Sequence, residues 1–95
     1  MILQNPENYK FIQFQKSNTK NKKYDAVLYN KQTNKYKFVP FGDVNYPQYE
    51  DQTGLGLYSH LNTYDKQRRR LYRSRHDGEQ HNKFSSGYFS WRFLW

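Results

Sequence analysis

The sequence predicts a small α+β domain in which a short antiparallel β-sheet packs against one basic helix and an aromatic C-terminal segment. Three observations predict it. The 95 residues suffice for a single domain. The clearest strand-like patterns lie within residues 9–41, and the clearest helical pattern covers residues 65–76. A chain this short buries only about two-thirds of its unfolded surface, so 10 Tyr, 7 Phe and 2 Trp would fill most of a small core.

The first strand is predicted at residues 9–15, where residues that favour β-structure are concentrated. An arm of residues 1–8 precedes it and either frays or is held by its apolar start. Strict alternation along the strand places Tyr9 and Phe11 on one face and Ile12 and Phe14 on the other.

A β-hairpin is predicted from residues 24–30 and 36–41, which flank a polar turn. Pro40 cannot donate a backbone hydrogen bond, so the second strand lies at an edge of the sheet or ends there. Gly42 then turns the chain, because glycine adopts a positive φ without steric cost. Alternation in this strand places Tyr36 and Phe38 on one face and Val39 and Phe41 on the other.

An acidic and aromatic connection, residues 42–63, joins the hairpin to the helix. Its Glu50 and Asp51 are expected to pair with the arginines that follow. The glycine-broken residues 53–57 lack the spacing of a phosphate-binding P-loop. The connection is expected to contain a short helical turn and to be anchored in the core by Leu55, Leu57 and Leu61.

The helix is predicted at residues 65–76, with Thr63 or Asp65 as N-cap and Asp77-Gly78 as its end. A helical projection separates two faces. Neighbouring like charges on the outer face repel one another, and either acidic side chains or bound phosphates would relieve this. The projection places Leu71 and Tyr72 on the inner face, flanked by Arg68 and Arg75, and a basic stripe of Lys66, Arg69, Arg70 and Arg73 on the outer face.

The aromatic end, residues 84–95, fits two patterns. As a strand it alternates, and as a helix it gathers its rings on one face, so periodicity alone does not separate the two in so short a run. We favour a short helix capped by Ser85 or Ser86. In either form the rings close the core. The strand face would hold Phe89, Trp91, Phe93 and Trp95, and the helix face Phe84, Tyr88, Trp91 and Trp95.

The net charge of +8 is unevenly distributed. Residues 1–41 contribute +6, residues 42–63 contribute −3, and residues 64–95 contribute +5. The lysine-rich residues 16–23 lack periodicity and predict a loop, whose lysines either reach phosphates or keep the loop solvated. Two basic regions separated by an acidic one suit a polyanionic partner, either nucleic acid or the acidic surface of another protein.

Several classes of protein are excluded by composition. The chain has no cysteine, so it forms neither disulfides nor thiolate metal sites. It has no apolar run of membrane-spanning length and no signal peptide at its start, which predicts an intracellular protein without a membrane partner. The three histidines lack the spacing of a zinc site. The sequence therefore predicts a protein that is not an enzyme, with no catalytic residue, metal, cofactor or small-molecule substrate.

Five segments together resemble a family of small basic proteins encoded by large double-stranded DNA viruses of eukaryotes, with relatives in phages. The order of the segments carries the resemblance from about residue 16 onward. It implies a viral origin and brings no catalytic residue. The segments are residues 41–43 (Phe-Gly-Asp), 49–51 (Tyr-Glu-Asp), 54–60 (Gly-Leu-Gly-Leu-Tyr-Ser-His), 65–76 (Asp-Lys-Gln-Arg-Arg-Arg-Leu-Tyr-Arg-Ser-Arg-His) and 88–95 (Tyr-Phe-Ser-Trp-Arg-Phe-Leu-Trp).

Two functions follow as hypotheses. The first is a virion-associated structural component, a minor capsid or genome–shell linking protein, whose partners are viral capsid proteins, double-stranded DNA or both. The second is a soluble accessory protein of infection that binds nucleic acid without sequence preference. Both predict a location in the virion or the host-cell interior. The predicted binding residues are Lys66, Arg69, Arg70, Arg73 and Arg75 of the helix and Lys20, Lys22 and Lys23 of the loop.

Overall fold

The computed structural model describes residues 3–95. Met1 and Ile2, on which part of the predicted N-terminal arm falls, lie outside the described residues. The predicted α+β class is confirmed, because a three-stranded antiparallel sheet of order β1-β2-β3 accompanies two α-helices. The elements are β1 (Tyr9–Lys16), β2 (Lys22–Asn30), β3 (Lys35–Asp43), α1 (Lys66–Arg75) and α2 (Ser86–Phe93), with short 3-10 turns at Pro6–Asn8, Ser59–Leu61 and Glu79–His81.

The predicted hairpin is confirmed as β2 and β3, and β2 is the central strand because it pairs with both neighbours. Residues 23–28 of β2 are all buried. Pro40 lies in β3, which is an edge strand as predicted. The predicted facing of β3 also holds. Val39 and Phe41 are buried, whereas Tyr36 and Phe38 are exposed.

The alternation predicted for β1 is wrong from Ile12 onward. The pairing register with β2 shifts between Phe11 and Gln13, which is the mark of a β-bulge. The extra residue leaves Ile12 43% exposed and returns Phe14 to the face that carries Phe11, with their ring centroids 4.8 Å apart. The bulge therefore puts both phenylalanines into the core, where Phe14 also contacts Phe41.

The aromatic end forms a helix, as favoured from the sequence. The Ser85 hydroxyl caps α2 by accepting a hydrogen bond from the backbone N–H of Tyr88 at 3.1 Å. Phe89 is buried on the sheet, with its ring stacked on Phe41 at 5.6 Å. The buried apolar residues of this end are Phe84, Phe89 and Leu94. Of the predicted helix face, Phe84 therefore enters the core, whereas Tyr88, Trp91 and Trp95 are half-buried.

Gly42 is required where the C-terminal end packs against β3. Its φ is +76°, as the sequence predicted, and it lies inside β3 rather than beyond it. A Cβ atom at this position would lie 2.8 Å from Leu94 Cδ1, closer than two carbon atoms can approach. The glycine thus satisfies both a backbone and a packing requirement.

The connection between the sheet and α1 is held by hydrogen bonds rather than by leucines. Leu55 and Leu57 are exposed, which contradicts the prediction that they anchor this segment. The Tyr24 hydroxyl instead donates to Asp51 and accepts from the backbone N–H of Leu57 at 2.9 Å. The buried amide of Gln48 donates to the Tyr58 carbonyl oxygen at 2.8 Å. A polar network therefore replaces the expected apolar anchor.

Candidate nucleic-acid interface

Helix α1 begins and ends where the sequence predicted. The Asp65 carboxylate caps it by accepting hydrogen bonds from the backbone N–H groups of Gln67 at 3.0 Å and Arg68 at 3.1 Å. His76 is the C-cap, and Gly78 follows with a φ of +104°. Local sequence thus fixes both ends of the element that carries most of the predicted binding residues.

The inner face of α1 carries arginines that contact aromatic rings. The Arg69 guanidinium lies 4.6 Å from the centre of the Tyr49 ring. The Arg73 guanidinium lies 5.3 Å from the centre of the Trp91 ring and donates a hydrogen bond to the Trp95 carbonyl oxygen at 3.0 Å. Contacts of this kind hold a cation against a ring without removing its charge.

Tyr72 is the central contact of the inner face. Its ring stacks on Trp95 at 4.6 Å with an interplanar angle of 9°, and on its other neighbour His76 at 4.2 Å. Its hydroxyl donates to Ser90 Oγ at 3.0 Å. Burial raises the pKa of Tyr72, because it disfavours the charged phenolate. His76 Nδ1 lies 2.5 Å from a carboxylate oxygen of Glu79.

The faces predicted for α1 are partly wrong. Leu71, expected to face inward, is 52% exposed, whereas Arg69 and Arg73, expected to face outward, are half-buried. The inner face runs at i, i+3, i+4 and i+7 through Arg69, Tyr72, Arg73 and His76. Rings on α2 and on the connection before α1 provide π faces that attract guanidinium groups. The arginines of α1 therefore face these rings, and its leucine does not.

The charges of α1 are not neutralised by acidic side chains. Its ten residues contain six cations and no acid. Across residues 3–95, none of the six has an Asp or Glu carboxylate oxygen within 4.0 Å, and the predicted pairing of Glu50 and Asp51 with these arginines is therefore wrong. Asp51 instead accepts hydrogen bonds from Tyr24 and Thr53. Burial, and after it the neighbouring charge of Arg69, lower the pKa of Arg73.

A basic groove on α1 joins the four residues of the predicted stripe. Its volume is about 600 Å³, and we call it the α1 groove. Lys66 and Arg70 are exposed, and Arg69 and Arg73 are held by their rings. Arg75 lies outside it and lines a second cavity, together with Arg68. The residues of the α1 groove are Lys66, Gln67, Arg69, Arg70 and Arg73.

The predicted lysine loop is shorter than expected, and its lysines separate. Strand β1 extends to Lys16 and β2 begins at Lys22, which leaves residues 17–21 as the turn. Lys20 is exposed in this turn and Lys22 is half-buried. The lysines of this segment do not line the α1 groove.

Lys23 is not a loop residue. It is 1% exposed, and its ammonium group donates to the Tyr46 carbonyl oxygen at 2.8 Å and to Gln48 Oε1 at 2.5 Å. Burial lowers its pKa to about 8, against the attraction of Asp51 and Asp43. The methylene groups of a lysine can be buried in a protein interior when hydrogen-bond acceptors are present for its ammonium group. The prediction that Lys23 is free to bind phosphate in a loop is therefore corrected.

Sequence reasoning missed the aromatic partners of α1. Tyr49, Trp91 and Trp95 are distant in the chain, and no periodicity links them to Arg69 or Arg73. Among residues 3–95, no three His, Asp or Glu side chains come together in a way that could hold a metal ion. No helix in this part of the chain is long and apolar enough to cross a membrane.

Comparison with protein-family models, with curated proteins and with solved structures finds no match to this chain. The resemblance to viral proteins stays a prediction. The functional assignment consequently depends on the geometry and charge of α1 and the surfaces beside it.

Proposed function

We propose that this chain is a non-enzymatic viral structural protein that binds the phosphates of double-stranded DNA through α1. One observation carries the proposal. Six cations lie within ten residues of helix, and in the part of the chain that the structure describes no Asp or Glu neutralises any of them. Such a surface attracts polyanions, and duplex DNA carries one negative charge per about 1.7 Å of its axis.

The spacing of the α1 groove suits a phosphate backbone. At about 1.5 Å of rise per residue, Lys66 and Arg73 are about 10 Å apart along the helix axis. Successive phosphates of one strand advance about 3.4 Å along the duplex axis, so a length of about 10 Å spans about three steps and four phosphates. Guanidinium groups can bind phosphate oxygens through two N–H groups at once. The rings under Arg69 and Arg73 reduce the entropy lost when these side chains bind.

The interface should lack sequence preference. Its groups are cations, with Gln67 as the one amide that lines the groove. Contacts from cations to phosphates position a protein on DNA, whereas discrimination among bases needs a set of hydrogen bonds to base edges. A protein that links a genome to its shell must bind many sites along the DNA, and this chemistry meets that requirement.

A charge-reversal experiment tests DNA binding. The double variant Lys66→Glu/Arg70→Glu changes two exposed side chains of the α1 groove and leaves the ring-bound arginines in place. We expect it to weaken binding to a random-sequence duplex by about tenfold or more in fluorescence anisotropy, since two phosphate contacts are lost. Lys31→Glu/Lys35→Glu, in the hairpin turn and at the exposed start of β3, makes the same charge change and should have a small effect. Equal losses in the two variants would contradict a specific role for α1.

Particle proteomics tests the structural role. Stoichiometric copies in purified virions are expected if the protein links genome and shell. Absence from particles, with duplex binding retained, would instead favour the soluble accessory function.

A further inference from the structure

A second cavity lies on the other side of α1, between this helix and the open end of the β2–β3 hairpin, where β2 begins and β3 ends. Its volume is about 820 Å³, within the range of about 300–1,000 Å³ that is usual for small-molecule sites. Lys23 and Asp43 line it from the sheet, and Arg68 and Arg75 line it from the helix. It shares none of its residues with the α1 groove.

The cavity offers cations at its wall. Arg68 and Arg75 are exposed and, within residues 3–95, have no Asp or Glu partner. Lys23 is almost wholly buried, and its three N–H groups have two acceptors, the Tyr46 carbonyl oxygen and Gln48 Oε1. Lys23 therefore adds positive charge at the cavity wall, while its ammonium group stays bound to these two acceptors. A phosphate group would pair with the two exposed arginines.

The cavity also offers flat and apolar surfaces. Tyr72 and Trp95 form its aromatic wall, where their rings are already stacked. Tyr46 and Leu71 line it as well, yet they are 65% and 52% exposed. Small-molecule sites are lined mainly by apolar and aromatic side chains with a few polar groups, and this lining has that composition. A planar ring system is the group that such surfaces accept best.

Asp43 narrows the class of ligand. It is the one carboxylate among the lining residues, and its Oδ1 accepts a hydrogen bond from the backbone N–H of Asn45 at 2.8 Å. A second carboxylate oxygen remains for a donor. A bare inorganic anion supplies no hydrogen-bond donor to this oxygen, whereas a ribose hydroxyl or the amino group of a base does. Cations, flat walls and one acceptor together match a nucleotide rather than an inorganic ion.

We propose that this cavity binds one nucleoside monophosphate unit, with the phosphate at Arg68 and Arg75 and the base against the aromatic wall. The unit is either a free nucleotide or the 5′-terminal nucleotide of a strand, since both present the same chemistry. The site does not depend on duplex binding by the α1 groove, because the two surfaces use different side chains.

Titration with small ligands tests the site. Trp95 lines the cavity, so tryptophan fluorescence should change saturably with adenosine monophosphate. Adenosine and inorganic phosphate alone should each bind at least about tenfold more weakly, because each lacks half of the recognised groups. No saturable change with millimolar nucleotide would overturn the proposal. Phosphate that binds as tightly as the nucleotide would overturn it as well.

Variants and strand ends complete the test. Arg68→Ala/Arg75→Ala should weaken nucleotide binding by about tenfold or more. Lys31→Ala/Lys35→Ala, in the hairpin turn and at the exposed start of β3, should leave it unchanged. Both pairs are exposed, so neither should unfold the protein. If the strand end is the natural source, a 5′-phosphorylated single strand will bind more tightly than its 5′-hydroxyl form and than the free nucleotide. If the free nucleotide is the source, it will bind more tightly than either strand. Equal nucleotide affinity in the two variants would contradict the assignment.

Discussion

Lys23 and Tyr24 are adjacent in β2, and both take part in the polar network that holds the connection to α1. The ammonium group of Lys23 binds Gln48, and the hydroxyl of Tyr24 binds Asp51. Burial lowers the pKa of Lys23 to about 8, whereas burial together with the hydrogen bond to Asp51 raises the pKa of Tyr24 to about 12. The free energy of unfolding therefore depends on pH in opposite directions through these two neighbouring residues.

The free energy of unfolding should have a maximum near pH 10. Between about pH 8 and 10, unfolded Lys23, with its ordinary pKa of 10.5, binds more protons than folded Lys23, so stability rises with pH. Full loss of the proton would add at most about 3 kcal/mol. Between about pH 10 and 12, Tyr24 keeps its proton in the folded protein and loses it in the unfolded chain, so stability falls. Urea denaturation at several pH values measures both limbs.

Two variants isolate the contribution of Lys23. Lys23→Met removes the titrating group, so the rise between pH 8 and 10 should shrink. Lys20→Met changes an exposed lysine in the neighbouring turn and should keep the rise. A rise that persists undiminished in Lys23→Met would show that Lys23 does not cause it.

At the scale of single residues, the sequence alone predicts which residues form turns and helix caps. Examples are Gly42, Asp65 and Ser85, because turns and caps depend on residues close in the chain. Lys23 was misassigned because its burial depends on acceptors more than 20 residues away. A charged side chain in a lysine-rich run carries no local sign that Gln48 will meet it.

At the scale of the elements, helix α1 is held in place although none of its ten residues is buried. Stacking and cation–π contacts attach it to the C-terminal end instead of an aliphatic seam. The helix and its caps were predicted correctly from the sequence, whereas the predicted orientation of its faces was wrong. A helical projection assumes that leucine faces the core. The β1 bulge was missed for a related reason, because a period of two cannot reveal one inserted residue.

The rotation of α1 has a measurable consequence. Tyr72→Ala should lower the free energy of unfolding by about 2 kcal/mol, because it removes a half-buried ring and the hydrogen bond to Ser90. Leu71→Ala, one residue earlier, should change it by no more than about 0.5 kcal/mol, because Leu71 is exposed. Urea denaturation of the two variants compares them directly. Similar losses would restore the helix orientation that the sequence alone suggested.

For the whole molecule, the uneven charge is visible in the sequence, whereas the predicted pairing of the acidic connection with the basic helix is wrong. Asp51 and Gln48 of this connection take part in the polar network instead. The excess positive charge consequently stays at the surface of α1. Fold class followed from the order of strand-like and helix-like patterns, whereas the partner of a charged surface is a property of another molecule and leaves no periodicity in this one.

The salt dependence of duplex binding tests the central claim most directly, namely that the cations of the α1 groove are free to bind phosphates. Four groove cations predict a slope of about −3.5 for the logarithm of the association constant against the logarithm of salt concentration. In Lys66→Glu/Arg70→Glu the slope should fall in magnitude to about −2, because two contacts are lost. A slope near zero, or one unchanged by this variant, would contradict the account.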